Sequence, residues 1–145
     1  MSAPSINAVQ ERIDSGPFNR WLGLTVTDLT ATTSTLEADV KPDWTNSRQG
    51  AVVHGGIISA LLDVAACFSL VGSLGGTAPT IDLSTHFLRA LGPGRVIVVG
   101  RLVKPGRAIA IAEAELSNES GKTAAIARGT FAASAVLPLG EEGGQ

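Results

Sequence analysis

The sequence predicts an α+β fold, one long apolar helix set against a curved antiparallel sheet of about five to six strands, and three features predict it. Apolar residues at 57, 58, 61, 62, 65 and 68 recur at helical spacing through the run 57–70. Four strand-like runs follow, 80–90, 95–103, 108–117 and 122–133, separated by Gly92-Pro93-Gly94, Pro105-Gly106 and Asn118-Glu119-Ser120-Gly121. Seventeen glycines, many alanines and valines and no tyrosine describe a turn-rich sheet protein rather than a helical bundle. A helix this apolar needs cover nearly all round, more than one sheet supplies, so the sequence itself points to a second subunit.

The elements follow in order. Ile6, Val9 and Ile13 share one helical face, with Pro4 or Ser5 placed to start the helix, so 1–16 reads as a helical segment. Phe18, Trp21 and Leu22 are expected to form an apolar plug at one end of the core. The run 24–40 is rich in Thr and Val, with partial alternation around Ala31-Thr32-Thr33, and reads as two strands of a hairpin. The breaker-rich run 41–50 reads as a loop leading to His54. After the helix, 72–76 reads as a flexible glycine-rich connection, and the four later strands as a meander. The whole reads as one domain, 1–145, ending in a flexible tail at 138–145.

Composition narrows the function classes. The net charge is −2, and the eleven Lys and Arg residues are scattered without a basic strip, which argues against a nucleic-acid partner. Cys67 is the single cysteine, so no intrachain disulfide and no paired-cysteine metal site can form, and a reducing cytoplasmic setting fits. The amino end lacks a signal-peptide pattern, and no apolar run reads as long enough to cross a bilayer. His54 and His86 are too few for a metal site.

Chemistry concentrates at the helix. His54-Gly55-Gly56 opens it, and Asp63 is its lone carboxylate, on a face of small residues that includes Ser59, Ala60, Ala66 and Cys67. Bare glycines let a ligand approach the free N–H groups of a helix start, where the dipole favours negative charge. These residues equally fit a tight entry turn and a solvated polar stripe. Val52, Val53, Ile57, Leu61 and Phe68 offer an apolar pocket. A Ser84-His86-Asp82 triad is disfavoured, since alternate residues of a strand stand roughly 7 Å apart. Arg89, Lys104 and Arg107, at strand ends and turns, could meet the phosphates of a ligand or remain solvated.

Together, Gly50, His54-Gly55-Gly56, Asp63 nine residues after the histidine, DLSTHFLRAL at 82–91, VKPGR at 103–107 and ARGTFA at 127–132 resemble the phenylacetate-pathway (PaaI-like) group of hotdog-fold acyl-CoA thioesterases. The resemblance spans roughly 18–133. It implies a sheet wrapped round a central helix, a homodimer with its active sites at the interface, where the helix carboxylate of one subunit faces the glycine turn of the other, a homotetramer built from it, acyl-CoA as substrate, and no metal or organic cofactor. Carried across by position, Asp63 is the general base or nucleophile, the Gly55 N–H the oxyanion donor, His54 a support for the turn, Gly56 a substrate contact, and Thr80 the hydroxyl near the attacking water. Relatives carry an asparagine six residues before the histidine, where this chain has Arg48, so Asn46 or Gln49 is left to supply the amide. Hydrolysis of an acyl-CoA thioester is the function this implies. The alternatives are a non-catalytic acyl-CoA-binding module, and a hotdog hydratase or dehydratase, which would need a catalytic histidine opposite the acid.

Overall fold

The structure, a computed structural model, describes residues 4–46, 49 and 52–140. Two helices come first, α1 (Ile6–Ser15) and α2 (Pro17–Leu22), then a hairpin of β1 (Thr25–Leu29) and β2 (Thr33–Asp39). A 3-10 turn at Pro42–Trp44 leads to the long helix α3 (Gly55–Phe68) and the single turn α4 (Val71–Leu74). Strands β3 (Gly76–Thr77), β4 (Thr80–Phe87), β5 (Arg95–Lys104), β6 (Ile109–Asn118), β7 (Thr123–Ala132) and β8 (Leu137–Pro138) complete the chain.

The main sheet has six strands in the order β1-β2-β5-β6-β7-β4, every pair antiparallel. Only β5, β6 and β7 form the expected meander. Because β5 already has β2 on one side and β6 on the other, β4 takes the free side of β7 and becomes an edge. Helix α3 lies across the inner face and buries Ile58, Leu61, Leu62, Ala65, Ala66 and Phe68. It can lie close because the facing strand positions are small: Ala110, Ala112 and Ala114 on β6 and Gly100 on β5 are all buried. Ser34, fully buried on β2, donates to the Ala65 carbonyl at 2.7 Å.

At Gly100 an added Cβ would sit 1.9 Å from that same Ala65 carbonyl oxygen, a clash with backbone that no rotamer relieves. Overpacking normally costs up to about 3 kcal/mol, so Gly100→Ala is expected to reach or pass that figure and lower Tm by roughly 10 °C in calorimetry. A melting point within 2 °C of the native value would show that the helix can shift, at roughly 1 kcal/mol or less.

Four expectations are corrected. The 72–76 connection is not a flexible loop: α4 occupies most of it, Gly75 ends that turn in the left-handed region (φ 76°), and Gly76–Thr77 pairs with Leu137–Pro138. Glycine is needed at 72 for close approach, since a Cβ there would lie 2.5 Å from the Ala31 carbonyl oxygen. Pro138, placed in the expected tail, is thus part of a strand, while 141–145 lie outside the described residues. Of the expected plug only Leu22 enters the core. The short helix α2 leaves Phe18 and Trp21 exposed, where their rings stack at 5.9 Å and Lys41 sits over Trp21. Finally, Gly55–Leu74 makes a 20-residue run of mean hydropathy 2.1, long and apolar enough to span a bilayer. Its apolar character matches its place as the core helix under the sheet.

The two sheet edges differ. At β1 the Gln10 side chain of α1 accepts from the Val26 N–H at 2.8 Å and donates to the Leu24 carbonyl at 2.9 Å, so one amide stands in for a neighbouring strand. At β4 no helix or loop does this among the described residues, and Ile81, Phe87 and neighbouring Leu88 are each more than half exposed. An uncovered apolar edge invites pairing with another chain.

Candidate active site

The amides at the start of α3 are shared out unevenly. His54, in extended conformation (φ −61°, ψ 134°), caps the helix: its ring Nδ1 accepts from the Gly56 N–H at 2.8 Å. Its carbonyl accepts from Ile57 and Ile58 at 3.0 and 3.2 Å. Among the described residues the Gly55 N–H has no acceptor, so of the first four amides it is the one left to a ligand. Gly56, expected to touch substrate, spends its N–H on the cap, and its bare Cα makes room for the His54 ring, which a Cβ would approach to 3.0 Å.

Gly55 opens on a cavity of about 380 Å³. Val53, Ile58, Phe87 and Leu91 give it apolar walls, and Asn46 and Arg89 supply polar groups at its rim. Of the expected pocket residues Val52 and Val53 line it, but Ile57, Leu61 and Phe68 do not; the helix turns Ile58 to the cavity, while Leu61 and Phe68 join the core. Asn46 is therefore the amide brought beside Gly55, whereas Gln49 is exposed and does not line the cavity. Gly50 and Arg48 lie outside the described residues. Arg89 is held by its Nε donating to the Thr123 carbonyl at 2.9 Å, and its outer guanidinium nitrogens, without a partner among the described residues, are able to meet an anion.

Asp63 lies eight residues further along α3, half-buried, and its Oδ1 accepts from the Thr80 hydroxyl at 2.7 Å. Strict alternation along β4 would put Thr80 on the same outer face as Asp82. The register with β7 slips between Thr80 and Asp82, and this irregularity turns Thr80 inward to the helix. Asp63 Oδ2 has no partner among the described residues. Cys67, one turn on, donates from Sγ to the Ala78 carbonyl at 3.4 Å; burial, helped by the nearby Asp63 charge, pushes its thiol up to about 11. It stays protonated near neutral pH and is a poor nucleophile.

Asp63 and the Gly55 N–H are separated by about 12 Å of helix, too far to act on one carbonyl, whose oxyanion donor must come within about 3 Å. The two groups lie at opposite ends of β4: Thr80 with Asp63 at its start, Phe87 with Gly55 at its end. Lys104 and Arg107 stand near the Thr80 end of the sheet and Arg89 near the other. Ser84 and His86 instead line a separate cavity of about 430 Å³ on the outer face with Arg101, Glu113 and Arg128, and no hydrogen bond joins them to Asp82 among the described residues. Among the described residues no three His, Cys, Asp or Glu side chains gather as metal ligands.

Residues 40–132 match the family described as the acyl-CoA thioesterase N-terminal domain. The medium/long-chain acyl-CoA thioesterase YigI of Salmonella typhimurium is 30% identical over 130 residues, covering 79% of this chain and 84% of that protein. Zebra fish thioesterase superfamily member 2 superposes with a TM-score of 0.80 at 24% identity, over 90% of this chain and 99% of that one. The Escherichia coli PaaI protein, from the phenylacetic acid degradation operon, superposes with a TM-score of 0.79 at 18% identity, over 92% of this chain and 94% of that one. At those two identities the likeness speaks for the fold.

Proposed function

This chain belongs to the acyl-CoA thioesterase family, and from that premise we propose that it hydrolyses an acyl-CoA thioester at a site made by two copies, Asp63 and Thr80 of one facing the Gly55 N–H of the other. The hotdog fold expected from the sequence is the fold it has. The observation that carries the reading is the division of the site between the two ends of β4. Antiparallel pairing of β4 with a second β4, about a two-fold axis near Leu83 and Ser84, brings the Thr80 end of each to the Phe87 end of the other. Two complete sites result, and the uncovered edge is sealed.

In such a site the Thr80 hydroxyl fixes one oxygen of Asp63 while Oδ2 accepts a proton from water as the water attacks the thioester carbonyl. The Gly55 N–H receives the oxyanion that forms, at the positive end of the helix. Collapse of that intermediate breaks the C–S bond; the thiolate of CoA leaves and is protonated, and the acid is freed. Arg89 from one copy is a phosphate contact, and Lys104 and Arg107 of the other, three strands across the sheet from β4, are the further candidates. Hydrolysis is favoured over hydration or dehydration because His54 already uses Nδ1 to cap the helix. The acyl group we propose is the medium or long chain for which the Salmonella relative is named. Two dimers would join through the outer sheet face, where Arg101, Glu113 and Arg128 align across three strands and Arg128 pairs with Glu113.

The shared site is tested by complementation. Co-expression of Asp63→Asn and Gly55→Pro chains under two tags, followed by purification of the mixed dimer, should restore one of two sites and about half of native turnover, measured as thiol release. A mixed dimer as inactive as its parents would place both groups of a site in one chain and overturn the arrangement. Aryl, short-chain and long-chain acyl-CoAs assayed on the native protein identify the acyl class.

A further inference from the structure

We propose that Phe87 is a positioning residue of this site: its ring, seated on the bare Cα of Gly55, holds the first turn of α3 and keeps water from the Gly55 N–H. The inference rests on the reading of Gly55 as the oxyanion donor. A Cβ built on Gly55 would lie 3.3 Å from both Cε1 and Cζ of Phe87, so the ring rests on this residue at van der Waals distance. Yet the side chain is no part of the core. It is 54% exposed, at the end of an edge strand and at the mouth of the cavity beside Gly55.

A large aromatic group in that place contributes little burial to the fold but controls the surroundings of one N–H. A hydrogen-bond donor aimed at a developing oxyanion is worth far more where water is excluded than where it is free to compete. The ring also restrains the turn, since the glycine offers no side chain of its own for packing. In the two-copy arrangement Phe87 stands beside the Gly55 N–H, at the end of β4 that meets the Thr80 end of the partner's strand, where a shift of about 1 Å can cost roughly 10²-fold in rate. Nothing in the local sequence separates Phe87 from its apolar strand neighbours.

The test is a double-mutant cycle with Gly55→Ala, which keeps the N–H but adds the methyl that meets the ring. Phe87→Ala is expected to lower kcat about tenfold with a smaller change in KM, and Phe87→Tyr to stay within about twofold of native, at concentrations where each protein has the native mass by light scattering. Gly55→Ala should be slowed in the native background and lose little more when Phe87→Ala is added, because both changes disturb the same contact. Native kcat in Phe87→Ala, or two losses that simply multiply, would overturn the proposal. Its failure is separable from failure of the site reading: a silent Phe87→Ala with an inactive Gly55→Pro removes only the role of Phe87, whereas an active Gly55→Pro removes the donor on which that role rests.

Discussion

Asp63→Asn is expected to lower kcat by about 10³, within the usual range of 10²–10⁴ for losing a positioned general base. The substitution changes almost nothing else. The amide has the shape of the carboxylate, its oxygen can still accept from the Thr80 hydroxyl that now lies 2.7 Å from Oδ1, and the small-residue face of α3 is undisturbed. What it lacks is a basic oxygen for the proton of the attacking water. KM for acyl-CoA should therefore change little while kcat collapses, a split that thiol release at saturating and limiting substrate reads directly. A variant that kept more than about a tenth of native kcat would fall outside that range and move the base to another group.

Gly55→Pro should remove about 10²–10³ of kcat without unfolding the protein, a combination that few substitutions at a helix start can give. Proline is at home at the first helical position, where the N–H it lacks has no partner within the helix. The residue before it must be extended, and His54 at φ −61°, ψ 134° already is. The exchange deletes one N–H, the one with no acceptor among the described residues, and leaves the His54 cap on Gly56 in place; it also adds a Cβ that meets the Phe87 ring at 3.3 Å, so Gly55→Ala, which adds the Cβ and keeps the N–H, is its control. Near-native Tm with collapsed turnover is the expected pair of results. Near-native turnover would mean that the oxyanion is held by another donor, with the Asn46 amide, which lines the same cavity, a candidate.

The parts of this fold that depend on a local period were legible in the sequence. The apolar spacing of α3 and its His-Gly-Gly start predict the helix, and alternation between glycine and proline turns predicts β5, β6 and β7 to within a residue or two. Non-local pairing was not legible: nothing in 80–87 says that β4 joins β7 rather than β5. Glycines in 72–76 suggested flexibility because sequence does not show which backbone lies opposite a missing Cβ, here Ala31 and Leu137. At the site, Asp63 stood out as the helix's lone carboxylate, and Thr80 came from family resemblance. Its inward turn depends on the register slip after Thr80, which has no sequence mark. Likewise Gly55 and Gly56 look alike in the sequence, and only the hydrogen bonds tell the spent amide from the available one.

The Gln10 amide on β1 also decides how large an assembly of these sheets can become. A chain with two sticky flanks could recruit copy after copy into a ribbon of no fixed length, the geometry from which fibres grow. The two hydrogen bonds of Gln10, to Leu24 and Val26, occupy the start of the β1 flank and leave a shorter template for an incoming strand. In the proposed dimer the two β4 flanks are paired with each other and the Gln10 amides occupy the start of each β1 flank, so α1 acts against further growth through strand addition.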